Sequence, residues 1–471
     1  MNQMQNSSPS IHSAGPSQPW SAALRRAGLN LVRALAWRNR LVRGSVGVLL
    51  LRVSLAFITF FLNIFLVRWL GTADYGAYAY SLAWLVVLGV PALLGLDQLL
   101  VRSVAAYRTR SAWGSLRTLV RQASFSGFLA AISVAVLAGI IAGFCIDPAE
   151  GRLLITFWIA LLLLPLITLA RVRQAVLQGL HHVVLAQLPE SILLPLIFLT
   201  LVLCVGLLSG VALTAPIAMG LNVLATAVAL GVGVLLLLPR LPRAPDRSPT
   251  VSQDWSWLRS SLPLMCFSAV NVLTAEVDLL ILGALKGPQD VGIYSVAVRT
   301  AELVPFILQA INPALAPHIA SLHTVGDALG LQRLLTMSAR LTLAAAAPVA
   351  LGLILCGAWL LRVVYGLELQ QGQTALAILS IGQLVNVGMG SVGMLLTMTG
   401  HAGDALWCIG VSGVLNFLLS VWLIPSWGLQ GAALAAAASL VLWNILMALS
   451  AYRKLGILCG PLGRIHFGGQ A

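Results

Sequence analysis

Apolar runs of about 20 residues follow one another along most of this chain, separated by short polar segments. A helix of that length crosses the hydrocarbon core of a bilayer, which is about 30 Å thick. The runs are continuous and do not alternate with a period of two, so a transmembrane β-barrel is excluded. We predict twelve spans, at about 45–67, 77–100, 123–145, 153–171, 185–207, 212–239, 259–284, 292–316, 338–361, 373–398, 405–424 and 429–451.

Composition points to the same class. Hydrophobic residues make up 59% of the chain and charged residues only 9%, against about 25% charged residues in an ordinary soluble domain. We therefore predict an all-α polytopic membrane protein. The six cysteines are scattered singly, without the spacing of a zinc site or a disulfide framework, so we expect no metal and no cofactor.

The basic residues predict the orientation of the spans. With the N-terminus in the cytoplasm, the cytoplasmic segments hold 22 of the 28 Lys and Arg residues, and the outer loops hold four. This is the positive-inside pattern of a multi-pass protein of the bacterial plasma membrane. It places both termini in the cytoplasm and explains the net charge of +14 by topology, so we expect no nucleic-acid partner.

The polar segments divide the chain into five regions. The first contains a stretch at 21–43 whose arginines oppose a leucine-rich face, which predicts a basic amphipathic helix on anionic lipid; an ordinary basic tail is the alternative. We predict, in order, a cytoplasmic tail, an N-terminal six-helix bundle, a polar and Pro-rich cytoplasmic linker, a C-terminal six-helix bundle and a second cytoplasmic tail, at residues 1–44, 45–239, 240–258, 259–451 and 452–471.

One short motif, G-x-x-D-x-G-x-Y, occurs twice, 216 residues apart. Each copy follows the first span of a six-span half. Its first glycine suits a tight turn, and its aspartate is placed to cap the next helix. We interpret the motif as a structural turn that ties a helical hairpin without chemistry of its own. Its residues are Gly71, Asp74, Gly76 and Tyr78, and Gly287, Asp290, Gly292 and Tyr294.

Later landmarks repeat with nearly the same offset. Gly179 and Gly400 open the fifth span of their halves, 221 residues apart, and Gly210 and Gly428 open the sixth, 218 residues apart. Each half has an even number of spans, so the two halves have the same orientation. We predict two pseudo-symmetric six-helix bundles around a central cavity, an arrangement typical of transporters.

The first hairpin also resembles a known family. The segment "VRWLGTADYGAYAYSLAWLVVLGVPALLGLDQLLVR" at 67–102 is similar to the opening of bacterial oligosaccharide and polysaccharide flippases of the O-antigen type. Segments 176–190 and 427–439 resemble later parts of that family. The matching residues of the first hairpin are Arg68, Leu70, Gly71, Tyr75, Gly76, Tyr78, Gly95, Leu96, Leu100, Val101 and Arg102.

The resemblance implies a fold and a function. It places the chain in the superfamily that also holds multidrug extruders and lipid II flippases, with a MATE-like fold. It implies a flippase that moves undecaprenyl-diphosphate-linked sugar repeat units to the outer leaflet by alternating access. The implied partners are that glycan lipid, membrane lipids and other proteins of polysaccharide assembly. No catalytic residues are implied, so the protein is not expected to be an enzyme.

Charges inside the spans are the unusual chemistry of the sequence, because an ionised group near the bilayer centre costs about 2.5–3.5 kcal/mol. In one interpretation, Arg52 and Arg299 face the cavity and attract the diphosphate or acidic sugars. Carboxylates would then bind a coupling proton or Na⁺, the candidates being Glu276, Asp278, Glu302 and, less directly, Glu190. In the other interpretation, the charges form an internal salt bridge that pins span seven to span eight, and Glu190 is a helix-end carboxylate.

Other functions of a polytopic protein stay open. An ion-coupled drug antiporter of the same superfamily would share the fold, and a lipid II flippase commonly has fourteen spans rather than twelve. A membrane-embedded polysaccharide polymerase or ligase is disfavoured because the predicted outer loops are short. A Walker A motif is missing from the sequence, so ATP is not expected to drive transport directly.

Overall fold

A computed structural model of the chain describes residues 20–145, 151–208, 212–240, 256–461 and 463, without the side chains of 20–53, 56 and 256–264. The predicted linker therefore lies largely outside the described residues. Contacts divide the chain into two units, Met1–Gly47 and Val48–Ala471. In the first unit, residues 20–47 are helical, in agreement with the helix predicted at 21–43. All that follows concerns the second unit.

The described residues are almost entirely helical. A π-helical turn at Pro189–Leu193 joins two helices of the N-terminal half, and 3₁₀ turns lie at Leu238–Arg240 and Leu367–Gly372. The α-helices are α1 Trp20–Leu93, α2 Leu96–Thr109, α3 Trp113–Cys145, α4 Gly151–Leu161, α5 Leu163–Gly179, α6 Val183–Leu188, α7 Leu194–Leu208, α8 Ala215–Leu237, α9 Ser256–Lys286, α10 Pro288–Ala301, α11 Phe306–Val325, α12 Ala328–Val364, α13 Gln373–Met389, α14 Val392–Met398 and α15 Ala402–Leu455.

These helices account for the predicted spans. By length and composition, the described residues contain eight helices that could cross a membrane, or ten if each of two bent pairs is one span. The bent pairs are α10 with α11, at 51°, and α13 with α14, at 43°. Two of the eight, α1 and α15, are interrupted by non-helical glycines, Gly71 and Gly428. Each of these two long helices thus carries two predicted spans.

The two copies of the glycine motif have the same backbone conformation. Gly71 has φ 76° and ψ 176°, and Gly287 has φ 85° and ψ −180°. Only glycine adopts this region readily, because a Cβ atom would clash with the backbone. The tight turn predicted at both positions is therefore confirmed, and the second half repeats the backbone of the first at this point.

The predicted cap role of Asp290 is wrong. Gly287, which has no side chain, occupies the N-cap position of α10, and Asp290 lies within the first turn. Its charge there still favours the helix, because the N-terminal end of a helix carries partial positive charge. Asp74, at the matching position, forms an ion pair of 3.6 Å with Arg152 at the start of α4.

The second glycine of each motif brings the two halves into contact. A Cβ atom added to Gly76 would lie 1.7 Å from the carbonyl oxygen of Pro288, and one added to Gly292 would lie 2.1 Å from the carbonyl oxygen of Thr72. Both obstacles are backbone atoms, which cannot rotate away. The motif is thus more than a hairpin turn, since it lets the two matching helix starts touch each other.

The main hydrophobic core crosses this contact. Tyr75 and Tyr78 of α1 and Ile293 and Tyr294 of α10 belong to one cluster of buried residues. Tyr294 and Leu282 are fully buried. The core therefore holds the first hairpin of one half against the first hairpin of the other, around the glycine contact.

This contact predicts a strong effect of one added methyl group. We expect Gly76→Ala to destabilise the protein by about 1–3 kcal/mol, the usual cost of overpacking. Gly89→Ala is a matched control on the same helix, because a Cβ atom there has nothing within 4 Å. Thermal unfolding of both variants in detergent micelles measures the difference. Equal melting temperatures for the two variants would contradict the backbone contact.

Candidate functional site

A cavity of about 750 Å³ lies between the two halves of the protein. Its N-half wall is formed by α1 between Leu55 and Val86, and its C-half wall by the stretch from Ala275 to Ala310 on α9, α10 and α11. Tyr365 contributes from the end of α12. The hairpins that carry the repeated motif therefore form both walls.

The walls match residue by residue at the offset of the motif. Nine pairs of residues separated by 216 positions line the cavity with both members. A central cavity between two equivalent bundles, as the repeat predicts, is thus confirmed. The pairs are Thr59 and Ala275, Phe60 and Glu276, Leu62 and Asp278, Asn63 and Leu279, Tyr78 and Tyr294, Ala79 and Ser295, Leu82 and Val298, Ala83 and Arg299, and Val86 and Glu302.

Polar contacts across the halves accompany the glycine contact near the motif turns. The Arg68 side chain donates hydrogen bonds to two carbonyl groups at the end of α12, with Nε 2.7 Å from the oxygen of Val364 and a second bond to Val363. The Thr72 hydroxyl donates to a carboxylate oxygen of Glu368 at 2.8 Å. The cavity is therefore closed at the end where the glycine motifs lie, which the topology predicts to be the outer end.

An ion pair projects into the cavity from the C-half wall. Arg299 lies in the last turn of α10 and Glu302 directly follows the helix, with Nη1 and Oε2 3.4 Å apart. The side chains remain 59% and 47% exposed. The break between α10 and α11 ends the helix there, and an arginine in the last turn also interacts favourably with the helix dipole. This pair can exchange its internal partners for groups of a ligand.

The predicted salt bridge between spans seven and eight is wrong. Arg299 pairs with Glu302 on its own side of the cavity, and Asp278 of α9 is instead bonded to Tyr294 of α10. The tyrosine hydroxyl donates to the Asp278 carboxylate, which is buried. A tyrosine–aspartate bond, rather than an ion pair, thus connects α9 to α10.

The matching tyrosine on the other wall makes a different bond. The Tyr78 hydroxyl accepts a hydrogen bond of 3.0 Å from the Asn222 amide of α8. Each motif tyrosine therefore lines the cavity and fastens its wall to its own half. The interpretation of the motif as a turn without further role is wrong in this respect. The sequence offered a hint, because a tyrosine is retained in both copies of the motif.

The described lining is acidic overall. Its ionisable carboxyl and guanidinium groups are those of Glu276, Asp278, Glu302 and Arg299. Glu276 is half-buried on α9 and faces the same cavity. Arg52, the other arginine predicted to face the cavity, belongs to α1 three residues before the lining residue Leu55, but its side chain lies outside the described part of the structure.

Glu190 lies away from this cavity, in the π-helical turn between α6 and α7. It forms an ion pair with Arg173 of α5, whose side chain is only 2% exposed. Arg173 also donates to the carbonyl oxygen of Ala186 at 3.1 Å. The topology count assigns Arg173 to a cytoplasmic segment, and that assignment is wrong for its side chain. The helix-end role considered for Glu190 is wrong as well.

Gly233 of α8 makes room for the buried arginine. A Cβ atom on Gly233 would lie 2.6 Å from Nε of Arg173. Among the described residues, Nε and Nη1 of Arg173 and Oε2 of Glu190 have no hydrogen-bond partner. The sequence gave little sign of this pair, because it depends on the π-helical turn and on a glycine 60 positions from Arg173.

Comparisons with known proteins agree with this architecture. The sequence profile of a family described as polysaccharide biosynthesis protein matches residues 41–323, more than half of the chain. The probable flippase AglR of Haloferax volcanii is 31% identical over 211 residues. That match covers 43% of this chain and 42% of AglR, so the chain spans less than half of that relative.

Two solved structures share the fold. An inward-facing multidrug resistance transporter of the MATE family has a TM-score of 0.67 at 12% identity, covering 87% of this chain and 98% of its own. The lipid II flippase MurJ in an inward closed conformation has a TM-score of 0.67 at 13% identity, covering 87% of each chain. At such low identities these likenesses show the fold alone. The chain is thus a polytopic membrane protein of the polysaccharide biosynthesis protein family, with the two-bundle fold of the MATE and MurJ transporters.

Proposed function

We propose that this protein is a flippase for polyprenyl-diphosphate-linked oligosaccharide repeat units. It moves them from the inner to the outer leaflet of the plasma membrane during the synthesis of a surface polysaccharide of the O-antigen type. The observation that carries the proposal is the cavity between two matched bundles, with an exposed arginine on its wall, in a chain of the polysaccharide biosynthesis family. The family relationship and the probable flippase AglR support the same class of substrate.

The proposed mechanism is alternating access. The cavity is closed where the glycine motifs meet, at the end that the charge distribution predicts to face outward. A rocking motion of the two bundles separates Gly76 from Gly292 and releases Arg68 and Thr72 from their partners on the other half. The headgroup and glycan cross inside the cavity, while the polyprenyl tail stays in the lipid.

Arg299 is proposed to bind the diphosphate. An arginine presents a planar fork of donors that matches phosphate oxygens, and it keeps its charge at every physiological pH. In the free protein, Glu302 holds this fork at 3.4 Å, within reach of the cavity. The phosphate takes over the donors that now face the carboxylate. Arg52 is proposed to contribute a second cation from the N-half.

The carboxylates are proposed to couple transport to a proton or Na⁺ gradient. Glu276 and Glu302 line the cavity beside Arg299, so a cation bound there offsets the acidic wall while an anionic headgroup is present. Asp278, bonded to Tyr294, can transmit a change in the cavity to α10. Glu190 would act separately, through its pair with Arg173.

A second candidate function is an ion-coupled antiporter of cationic small molecules. The observation in its favour is the excess of carboxylates over arginine in the described lining. Drug resistance on expression, with an unchanged cell-surface glycan, would support it. Loss of the surface glycan on deletion, with unchanged drug sensitivity, would support the flippase.

The role of Arg299 predicts loss of export without loss of the protein. We expect Arg299→Ala to lower surface glycan at least about tenfold, because a hydrogen bond to a charged group contributes about 1.5–3 kcal/mol. Arg110→Ala is the control, since Arg110 is an exposed arginine outside the cavity. Glycan is measured at equal membrane levels of both variants. Normal export by Arg299→Ala would remove this residue from the site.

Alternating access predicts that opening the glycine contact exposes the cavity to the outside. In a background without the six native cysteines, Leu82→Cys places a thiol on the cavity wall. We expect a membrane-impermeant thiol reagent added to whole cells to label this cysteine slowly, and at least about tenfold faster when Gly76→Leu is also present.

The control combines Leu82→Cys with Gly89→Ala, which leaves the contact between the halves intact. Its labelling is expected to match that of Leu82→Cys alone. Equal labelling rates with and without Gly76→Leu would mean that the glycine contact is not the outer closure.

A further inference from the structure

The two walls of the cavity have the same backbone but different chemistry. The charged residues of the described lining, Glu276, Asp278, Arg299 and Glu302, all belong to the C-half. Their counterparts 216 positions earlier are all apolar and line the opposite wall. These counterparts are Phe60, Leu62, Ala83 and Val86.

The N-half wall is nevertheless not a plain hydrocarbon surface. The aromatic rings of Phe60, Tyr75 and Tyr78 lie beside the hydroxyl of Thr59 and the amide of Asn63. The Tyr75 hydroxyl donates to the Asn63 side-chain oxygen at 3.4 Å, a long bond that a better partner can replace. Aromatic rings with a few neutral hydrogen-bonding groups form a surface suited to an uncharged polar ligand.

A sugar ring has the chemistry that fits this wall. Its C–H groups form an apolar face that packs against an aromatic ring, while its hydroxyl groups exchange hydrogen bonds with amides and hydroxyls. A phosphate would gain little from the same groups, because it needs positive charge to offset its loss of water. The opposite wall carries the exposed guanidinium of Arg299 for that purpose.

We propose that the cavity sorts the substrate between its walls. The C-half wall binds the diphosphate through Arg299, and the N-half wall binds an uncharged saccharide, with Phe60 as the stacking residue. This inference rests on the proposed flippase function and adds the orientation of the substrate and the class of sugar in contact with the N-half. Two equivalent backbones thus hold the two chemically different parts of one molecule.

Binding measurements with two probes test this division. The first probe is undecaprenyl diphosphate, and the second is the same lipid carrying a neutral disaccharide. Affinities are measured on the purified full-length protein in detergent micelles. Phe61→Ala is the matched control for Phe60→Ala, because Phe61 is the adjacent aromatic residue, is 51% exposed and is not part of the cavity lining.

We expect Phe60→Ala to weaken binding of the glycan-linked probe about fivefold and to leave binding of undecaprenyl diphosphate unchanged. Arg299→Ala weakens both probes, and Phe61→Ala weakens neither. An equal effect of Phe60→Ala on both probes, or no effect on either, would overturn the division. Failure of wild-type protein to bind either probe would instead overturn the proposed function.

Moving the arginine to the other wall gives a second test. Val86, the counterpart of Glu302, is 46% exposed and has room for a longer side chain toward the cavity. The double variant Val86→Arg, Arg299→Ala keeps one arginine in the cavity but places it on the N-half wall. Surface glycan is measured at equal membrane levels, with Val86→Leu as the control for the substitution site.

We expect export to stay at least about tenfold below wild type in the double variant, since the diphosphate and the sugar would then compete for one wall. Val86→Leu is expected to export normally. Restored export in the double variant would show that a cavity arginine suffices on either side. That result would overturn the sorting of the substrate and leave the role of Arg299 in the proposed function intact.

Discussion

The contact between Gly76 and Gly292 is the constraint on which the rest of the structure depends. Because neither residue has a Cβ atom, the backbone of one helix start packs directly against the backbone of the other. Gly71 and Gly287, five residues earlier, turn the chain into these helices with nearly the same dihedral angles. The contact therefore places the two repeats around one axis, and the nine matched pairs of the cavity follow from that placement.

A symmetric backbone with asymmetric side chains explains how such a protein handles an amphipathic substrate. Both motif tyrosines line the cavity, yet Tyr78 accepts from an amide whereas Tyr294 donates to a buried carboxylate. Charged groups belong to one wall, and their counterparts are apolar. Burying charge is costly, so concentrating it on one hydrated wall leaves the other free for uncharged ligand groups and for packing.

Much of this architecture could be predicted from the sequence, because hydropathy and repeated glycines report directly on backbone constraints. Charges in otherwise apolar spans were equally informative, since Glu276, Arg299 and Glu302 all line the cavity. The partners of those charges could not be predicted. Arg299 bonds three residues along its own chain rather than across to Asp278, because α10 ends there and α11 turns away by 51°.

Contacts between distant segments were also beyond sequence reasoning. The pairing of Glu190 with Arg173 requires a π-helical turn, which has no reliable sequence signal, and space provided by Gly233. The approach of Gly76 to Gly292 requires knowledge of the axis that relates the repeats. In both cases the sequence contains the permissive residue, but only the assembled fold shows what that residue permits.

Translocation in a purified system tests the central claim most directly. Full-length protein is reconstituted into liposomes that carry a fluorescent disaccharide on undecaprenyl diphosphate in both leaflets, and an impermeant enzyme removes the exposed sugar. The account predicts that wild-type protein, given a proton or Na⁺ gradient, makes more than half of the probe accessible, whereas protein-free liposomes and Arg299→Ala leave about half protected. Equal protection in wild-type and protein-free liposomes, under either gradient, would contradict the account.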